Sequence, residues 1–590
     1  MNGLIVFNSA NDVVFQQLNT ALAEHFFAKN ADLFPENATA SSIDGNIILQ
    51  IFSPIINSQR IMHCQFDNTY SSFQCENGLN FAFGDLLGYS FIKIGQRPVE
   101  ILKRHLGVAI ALVRHLYGAN LFATQASSVQ EELLSTCLQS YEEHLWDEEQ
   151  ALLLEALPRL LINNELKRVV HSALDGALER LRDLGHQRIH ALLFASNKFV
   201  DSATSKQALA LSATDLVFLT LLSRSLQRDG RQLNRSVAVF LQGVSHDPHS
   251  GCVPCIAHFS QLSKGVLLVQ LVEYANLQVA SSMYDTFFVL QKIITLQMQG
   301  DADAMKPTYD SLESFVKQTL DALKRSKLKG DEVDTSLKKF IAKWDNLKKM
   351  YGDFFRSVER ELLVRIESNI PSFMDELKQL FTLTCCDSSG IALDQLPEVA
   401  SLVEGKMLEI SEFLAVKAER NITIDAYLED FPGLIHFVYV NRSTGLMIAP
   451  DLRPNQLISK KSLWSMVEFT RNYLKKGHTT VMWKDKTFNY SYFLWFEDKS
   501  GGPMKSIDMQ QHVVASLSSN NAFKPQFEPG LLAADYYQQL TEICFPKASP
   551  GKVKCYELFC IHLGLVTSTC AVEHSRRLAA TIADVADENN

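Results

Sequence analysis

Apolar positions along this chain change their period in a recurring order. The clearest passage lies toward the C-terminus. A polar turn at Glu429 and Asp430 is stiffened by Pro432 and released by Gly433. Leu434 to Val440 is then a run of β-branched and aromatic residues, Asn441 to Gly445 a short turn, and Leu446 to Pro450 a second run, which predicts a β-hairpin. From Ser459 to Lys476 the period becomes helical, with Leu463, Val467, Thr470 and Leu474 on one face and Gly477 as the stop. Thr479 to Trp483 and Asn489 to Phe496 return to strand chemistry, with a further short strand near Lys505 and helices from about Leu531 onward.

The N-terminal part repeats the order. Leu4 to Phe7 and Val13 to Phe15 flank a turn at Asn8 to Asn11, a second predicted hairpin. After a polar stretch from Lys29 to Ser42, Ile47 to Ile56 is apolar, and Pro54 is expected to kink or end it. Met62 to Cys75, Leu79 to Phe83 and Tyr89 to Ile94 read as strands. A helix follows with Pro98 at its first turn, Gly118 past its end, and Leu102, Leu106, Ala109, Val113 and Leu116 as its stripe. Another, around Glu131 to Trp146, closes the unit.

The middle gives the same order again. Strands from Ile189 and Phe199 flank a turn at Ser196, and Ser212 with Asp215 forms a capping box for the next helix. Val237 to Leu241, Cys252 to Phe259 and Val266 to Val272 read as strands, and Met283 to Met298 as a long amphipathic helix. The sequence thus predicts α+β units at residues 1–147, 186–325 and 420–590, each an antiparallel five-stranded sheet flanked by helices in the order ββαβββαα. Helical connectors occupy 148–185 and 326–419.

At 590 residues the chain is too long for one core, and with 46% hydrophobic and 21% charged residues it reads as folded throughout. A net charge of −10 argues against nucleic acid as a partner. Eleven scattered cysteines suit reduced thiols in a cytoplasmic protein, and the apolar start is too short for a signal peptide. No run approaches the length of a membrane span, so any membrane association is expected to be peripheral.

Signatures of covalent chemistry are missing: there is no phosphate-binding Gly-rich loop ending in Lys-Ser/Thr, no Gly-x-Ser-x-Gly and no His-Glu-x-x-His. No cofactor and no metal are expected. One stretch does carry metal-ligand spacing: His246, His249, Cys252, Cys255 and His258 fall at intervals of three. Imidazole and thiolate suit zinc, but all five lie in one contiguous run, and strand alternation points Cys255 away from Cys252 and His258. The aromatic run Tyr490 to Phe496 reads as a strand buried on both faces, with Trp495 in the core.

Arg420 to Thr423, Tyr427 to Leu434, His436-Phe437, Ser491 to Glu497, Asp535 to Tyr537 and Cys555 to Leu558 together resemble the family of the Hermansky–Pudlak syndrome type-one protein. A weaker likeness runs through Glu76 to Gly78 and Leu152 to Leu161. The resemblance implies three tandem longin-like domains and an obligate heterodimer with the type-four protein of the same syndrome. It also implies guanine-nucleotide exchange on a Rab GTPase, on membranes of lysosome-related organelles such as pigment granules, with no catalytic residue to carry over. A non-catalytic trafficking adaptor or tether is the alternative. The Rab-facing surface is expected on the first unit, in the region of Asn8, Asn11, Asp12, Phe15, Gln50 and Ser53. Removing residues 1 to 127 is expected to leave assembly at least partly intact, through the second and third units, while abolishing exchange.

Overall fold

The computed structural model describes residues 1–34, 43–66, 70–122, 128–146, 150–227, 232–244, 251–326, 330–388, 391–420, 422, 424–452, 458–506, 528–532, 536–549 and 551–588. In the first unit, strands β1 (Asn2–Phe7) and β2 (Val13–Leu18) form the predicted hairpin, followed by helices α1 (Thr20–Lys29) and α2 (Gly45–Phe66). Strands β3 (Ser72–Gln74), β4 (Asn80–Leu86) and β5 (Tyr89–Gly95) complete a five-stranded sheet in the order β2-β1-β5-β4-β3. Helices α3 (Val99–Tyr117) and α4 (Ser128–Trp146) follow. Two expectations are corrected here. Helix α2 runs on past Pro54, which is exposed, so the carbonyl that loses its partner is left to water. The segment from Met62 to Phe66 is the end of that helix and not a strand.

A short helix, α5 (Gln150–Leu154), a two-residue strand, β6 (Leu157–Pro158), and helix α6 (Asn164–Asp183) lead to the second sheet. Its strands are β7 (Ile189–Ala195), β8 (Lys198–Thr204), β9 (Asn234–Leu241), β10 (Val253–Ser263) and β11 (Val266–Glu273), in the order β8-β7-β11-β10-β9. Helix α7 (Ala213–Leu226) sits between β8 and β9 in sequence and opens with the predicted Ser212–Asp215 capping box. Helices α8 (Leu277–Gln299), α9 (Ala302–Ser326), α10 (Asp331–Ser357) and α11 (Arg360–Phe381) then pack together around Tyr309, Phe340, Tyr351 and Phe373. Helix α12 (Leu396–Glu419) returns to the second sheet, and with α6 it covers one sheet face. Helices α6 and α12, both expected in the connectors, thus pack on the second sheet.

The third sheet holds β12 (Leu434–Asn441), β13 (Leu446–Ile448), β14 (Thr480–Lys484), β15 (Phe488–Glu497), β16 (Pro503–Met504) and β17 (Lys554–Leu563), with helices α13 (Lys460–Leu474), α14 (Tyr536–Cys544) and α15 (Ser568–Glu588). Its order is β14-β15-β17-β12-β13-β6, with β16 beside β15, seven strands among the described residues where five were expected. Strand β17 lies at the centre, in a stretch expected to be helical. Its eight inner residues are all buried, and a strand covered on both faces shows no alternation by which to recognise it. Without β6 and β16, the order matches the other two sheets, with β17 as the fifth strand.

Alternating residues divide each sheet between two cores. In the first, Ile5, Phe7 and Ile92 face α1 and α2, while Leu4, Val6 and Phe91 face α3. The second face belongs to a single apolar core shared by all three units, containing Leu112 and Leu134, Phe218 and Val269, Tyr492 and Phe559. Trp495 departs from expectation: it is half-buried, stacked on Tyr556 at 5.5 Å, because it lies on the more open face of β15. Among the described residues no helix is long and apolar enough to cross a membrane.

Candidate functional site

The first hairpin is set by its own side chains. The Asn8 carboxamide oxygen accepts from the backbone N–H of Ala10 and of Asp12, each at 2.9 Å. Asn8 Nδ2 donates to Asp12 Oδ2 at 3.0 Å, and Asn11 takes the left-handed conformation, φ 73°, which asparagine tolerates in turns. Helix α2 is fastened alongside. Arg60 Nη2 donates to the Asn8 carbonyl at 3.2 Å, Gln16 Nε2 donates to the Ile43 carbonyl at 2.7 Å, and Gly45 lies against Val13. Strand β2 ends its sheet, so a hydrogen-bonding strand edge and a helix form one platform.

Five of the six residues expected on this surface are at least partly exposed. Asp12 and Gln50 are exposed, while Asn8, Asn11 and Ser53 are half-buried, with Ser53 accepting from Asn57 Nδ2 at 3.3 Å. Phe15 does not belong to it. It is buried on the opposite face of β2, stacked on Phe122 at 6.1 Å within the shared core. A bulge opposite Val6 and Phe7 breaks the alternation there: Val13 packs with the α1–α2 core, while Val14 and Phe15 both turn to the shared one, so sequence spacing alone does not place Phe15.

The metal-spaced stretch does not come together among the described residues. His246 and His249 lie outside them. Cys255 enters the shared core, whereas Cys252 packs against the α8 bundle. Burial pushes both thiols well above their ordinary range, so they stay protonated. His258 has both ring nitrogens occupied, Nδ1 with Ser236 Oγ and Nε2 with Ser260 Oγ, each at 2.8 Å. Among the described residues no group of three or more His, Cys, Asp or Glu side chains is arranged to hold a metal.

Sequence reasoning missed the polar centre at which the units meet. The last carbonyls of α5 need donors, as at any helix C-terminus. Arg104 of α3 donates to the Leu152 carbonyl at 2.6 Å and also to that of Leu153. Arg471 of α13 donates to Leu153 at 2.7 Å, and Arg442, after β12, to Leu154 at 2.6 Å. Glu155 accepts from Arg104 Nε at 2.9 Å and from the Leu532 backbone at 2.7 Å. Glu557 accepts from Arg442 Nε at 2.6 Å, Tyr492 at 2.5 Å and Tyr537 at 2.9 Å. Burial works against the charge on Arg442, but the Glu557 carboxylate more than offsets it, and the guanidinium stays ionised. No sequence motif announces this centre, because its members come from 104 to 557.

Strand β6 makes a second junction. Leu157 N–H donates to Gly445 at 2.7 Å and Arg159 N–H to Met447 at 2.9 Å, extending the third sheet. Leu160 N–H donates to Phe199 at 2.8 Å, and so meets the edge of the second. The three units are therefore locked to one another, which leaves the platform of β2 and α2 standing on a rigid body.

Family models match the chain in three places. Residues 2–147 match the first longin domain of FUZ, MON1 and HPS1, residues 186–290 the second, and residues 433–586 the third. The matches fall on the three sheets in chain order, and between them they cover most of the sequence. The chain belongs to this family, as a protein of three longin domains of the FUZ, MON1 and HPS1 type.

Proposed function

We propose that this chain is one subunit of a heterodimeric guanine-nucleotide exchange factor that activates Rab GTPases for the biogenesis of lysosome-related organelles such as pigment granules. Its partner in this reading is the Hermansky–Pudlak syndrome type-four protein, in an obligate pair recruited peripherally from the cytoplasm to endosomal or organelle membranes. The observation that carries the reading is the platform on the first longin domain, where the Asn8–Asp12 turn, the β2 edge and α2 are fastened into one rigid surface.

Exchange forms no covalent bond. The factor binds the nucleotide-free GTPase more tightly than the nucleotide-bound form, and that difference opens the switch region. A preference of about 10⁴-fold requires about 5.5 kcal/mol of differential contact. A preformed platform supplies such contact with little ordering cost, and a partner's platform beside it enlarges the seat.

The test is nucleotide release from a panel of Rab proteins, with the heterodimer carrying either the natural chain or the double substitution D12K/Q50R. Both positions are exposed, and Asn8 still accepts from the Ala10 and Asp12 backbone after Asp12 Oδ2 is lost, so assembly and melting temperature should nearly hold while release slows about tenfold or more. A pair that binds a Rab without accelerating release is instead a trafficking adaptor or tether. Release at the full rate from the double variant removes the platform from the site.

A further inference from the structure

Helix α12 is apolar on two sides. Its inward stripe, with Leu396, Val399, Val403, Met407 and Leu414, is buried in the core beneath the second sheet. Its outward side carries Leu402, Leu408, Phe413 and Val416 at 52, 74, 50 and 42% exposure. At about 3.6 residues per turn, Leu402, Phe413 and Val416 share a sector of roughly 60°, with Leu408 about 80° to one side. Among the described residues only the inward side of α12 is covered, which leaves an exposed apolar stripe.

The polar residues of the same surface restrict what covers it. Glu398, Glu409 and Glu412 are exposed among and beside the apolar side chains, with Glu419 at the C-terminal end. The two lysines of α12 lie on the opposite flank of that stripe. Lys406 reaches toward Gly176 of α6, and Lys417 lies over the Phe413 ring at 5.9 Å. An anionic lipid surface is repelled by such a face. A second copy joined by a two-fold axis sets glutamates against glutamates. A helix with an apolar side and flanking Lys or Arg residues matches both the stripe and its charge.

We propose that the outward face of α12 is the docking site for a cationic amphipathic helix of a partner protein. The apolar side of that helix packs on Leu402, Phe413 and Val416, and its basic residues meet Glu398, Glu409 and Glu412. This inference stands apart from the exchange reading, since it concerns the second unit and holds whether or not the platform engages a Rab.

The probe is a fluorescein-labelled amphipathic helix of Leu and Lys, titrated with the full chain by fluorescence anisotropy. A Leu/Glu helix of the same pattern and phosphatidylcholine–phosphatidylserine vesicles serve as comparisons. The Leu/Lys helix should bind about tenfold or more tighter than the Leu/Glu helix. L408D/F413D should lose that binding, and E409K/E412K should weaken it severalfold with a flatter salt dependence. All four side chains are exposed, so circular dichroism should show unchanged melting; if L408D/F413D nonetheless unfolds, E409K/E412K decides. Equal binding of the Leu/Lys helix to the natural chain and to the variants overturns the proposal. So does self-association that L408D/F413D abolishes without any preference for the cationic helix, and so does vesicle binding abolished by the same change.

Discussion

Arg442 and Glu557 lie 2.6 Å apart with side chains only 1% exposed, and each also holds a different part of the molecule. Arg442 caps the end of α5 through Leu154, and Glu557 gathers Tyr492 and Tyr537. Removing one member leaves a buried charge without its partner, which costs about 3–5 kcal/mol. Glu557→Ala should therefore lower stability by that order in denaturant unfolding. R442M/E557L should cost less than the two single changes together, because no lone charge remains.

Acid should destabilise the fold within a defined window. Burial lowers His115, His190, His258, His436 and His562 from 6.5 to about 4. With the folded pKa below the unfolded one, the unfolded chain takes up protons first as pH falls. The stability these residues give is present above about pH 6.5 and is lost between there and about pH 4. Melting temperature should be nearly flat near neutrality and fall steeply across that interval, and His562→Asn should make the fall shallower.

Two aromatic residues of β15 should respond differently to truncation. Tyr492 is 1% exposed and bonded to Glu557, whereas Trp495 is half-buried. Tyr492→Ala should cost at least the ~3–5 kcal/mol typical of large buried aromatics. Trp495→Ala should cost clearly less, and a comparison of the two unfolding midpoints checks it.

Deleting residues 1 to 127 should not leave an intact remainder. Leu112 and Leu116 of α3 belong to the same core as Phe218 and Tyr492, and Arg104 caps α5. The deletion should therefore lower soluble yield and melting temperature of the remaining chain, in contrast to D12K/Q50R. Equal melting of the deleted and full chains would show the shared core to be dispensable.

Much of this architecture is legible in the sequence where signals are local. The Asn8 turn, the Ser212 capping box and the Pro98 and Gly118 ends of α3 all lie where a few neighbouring residues dictate them. Helix α1 was missed although Asn19 caps it, with its Oδ1 accepting from Leu22 at 3.0 Å, because its apolar stripe is short. Strand β17 was hidden by burial on both faces, and β6 by being two residues long. The charged centre could not be read at all. A buried Arg or Glu looks like a solvated one until residues hundreds of positions apart are seen to meet.

Strand β6 has a consequence for how the chain is made. Leu157 pairs with Leu446, so its partner is synthesised long after it. At roughly 5–20 residues per second, the wait on the ribosome is on the order of tens of seconds. Throughout that interval one side of the segment that meets the edge of the second sheet has nothing to bond. The nascent first and second longin domains thus carry an open strand edge until the third has been translated, and pairing across so large a sequence separation is intrinsically slow. Synthesis of this protein should depend on chaperones that shield such an edge, and that dependence should end when β13 emerges.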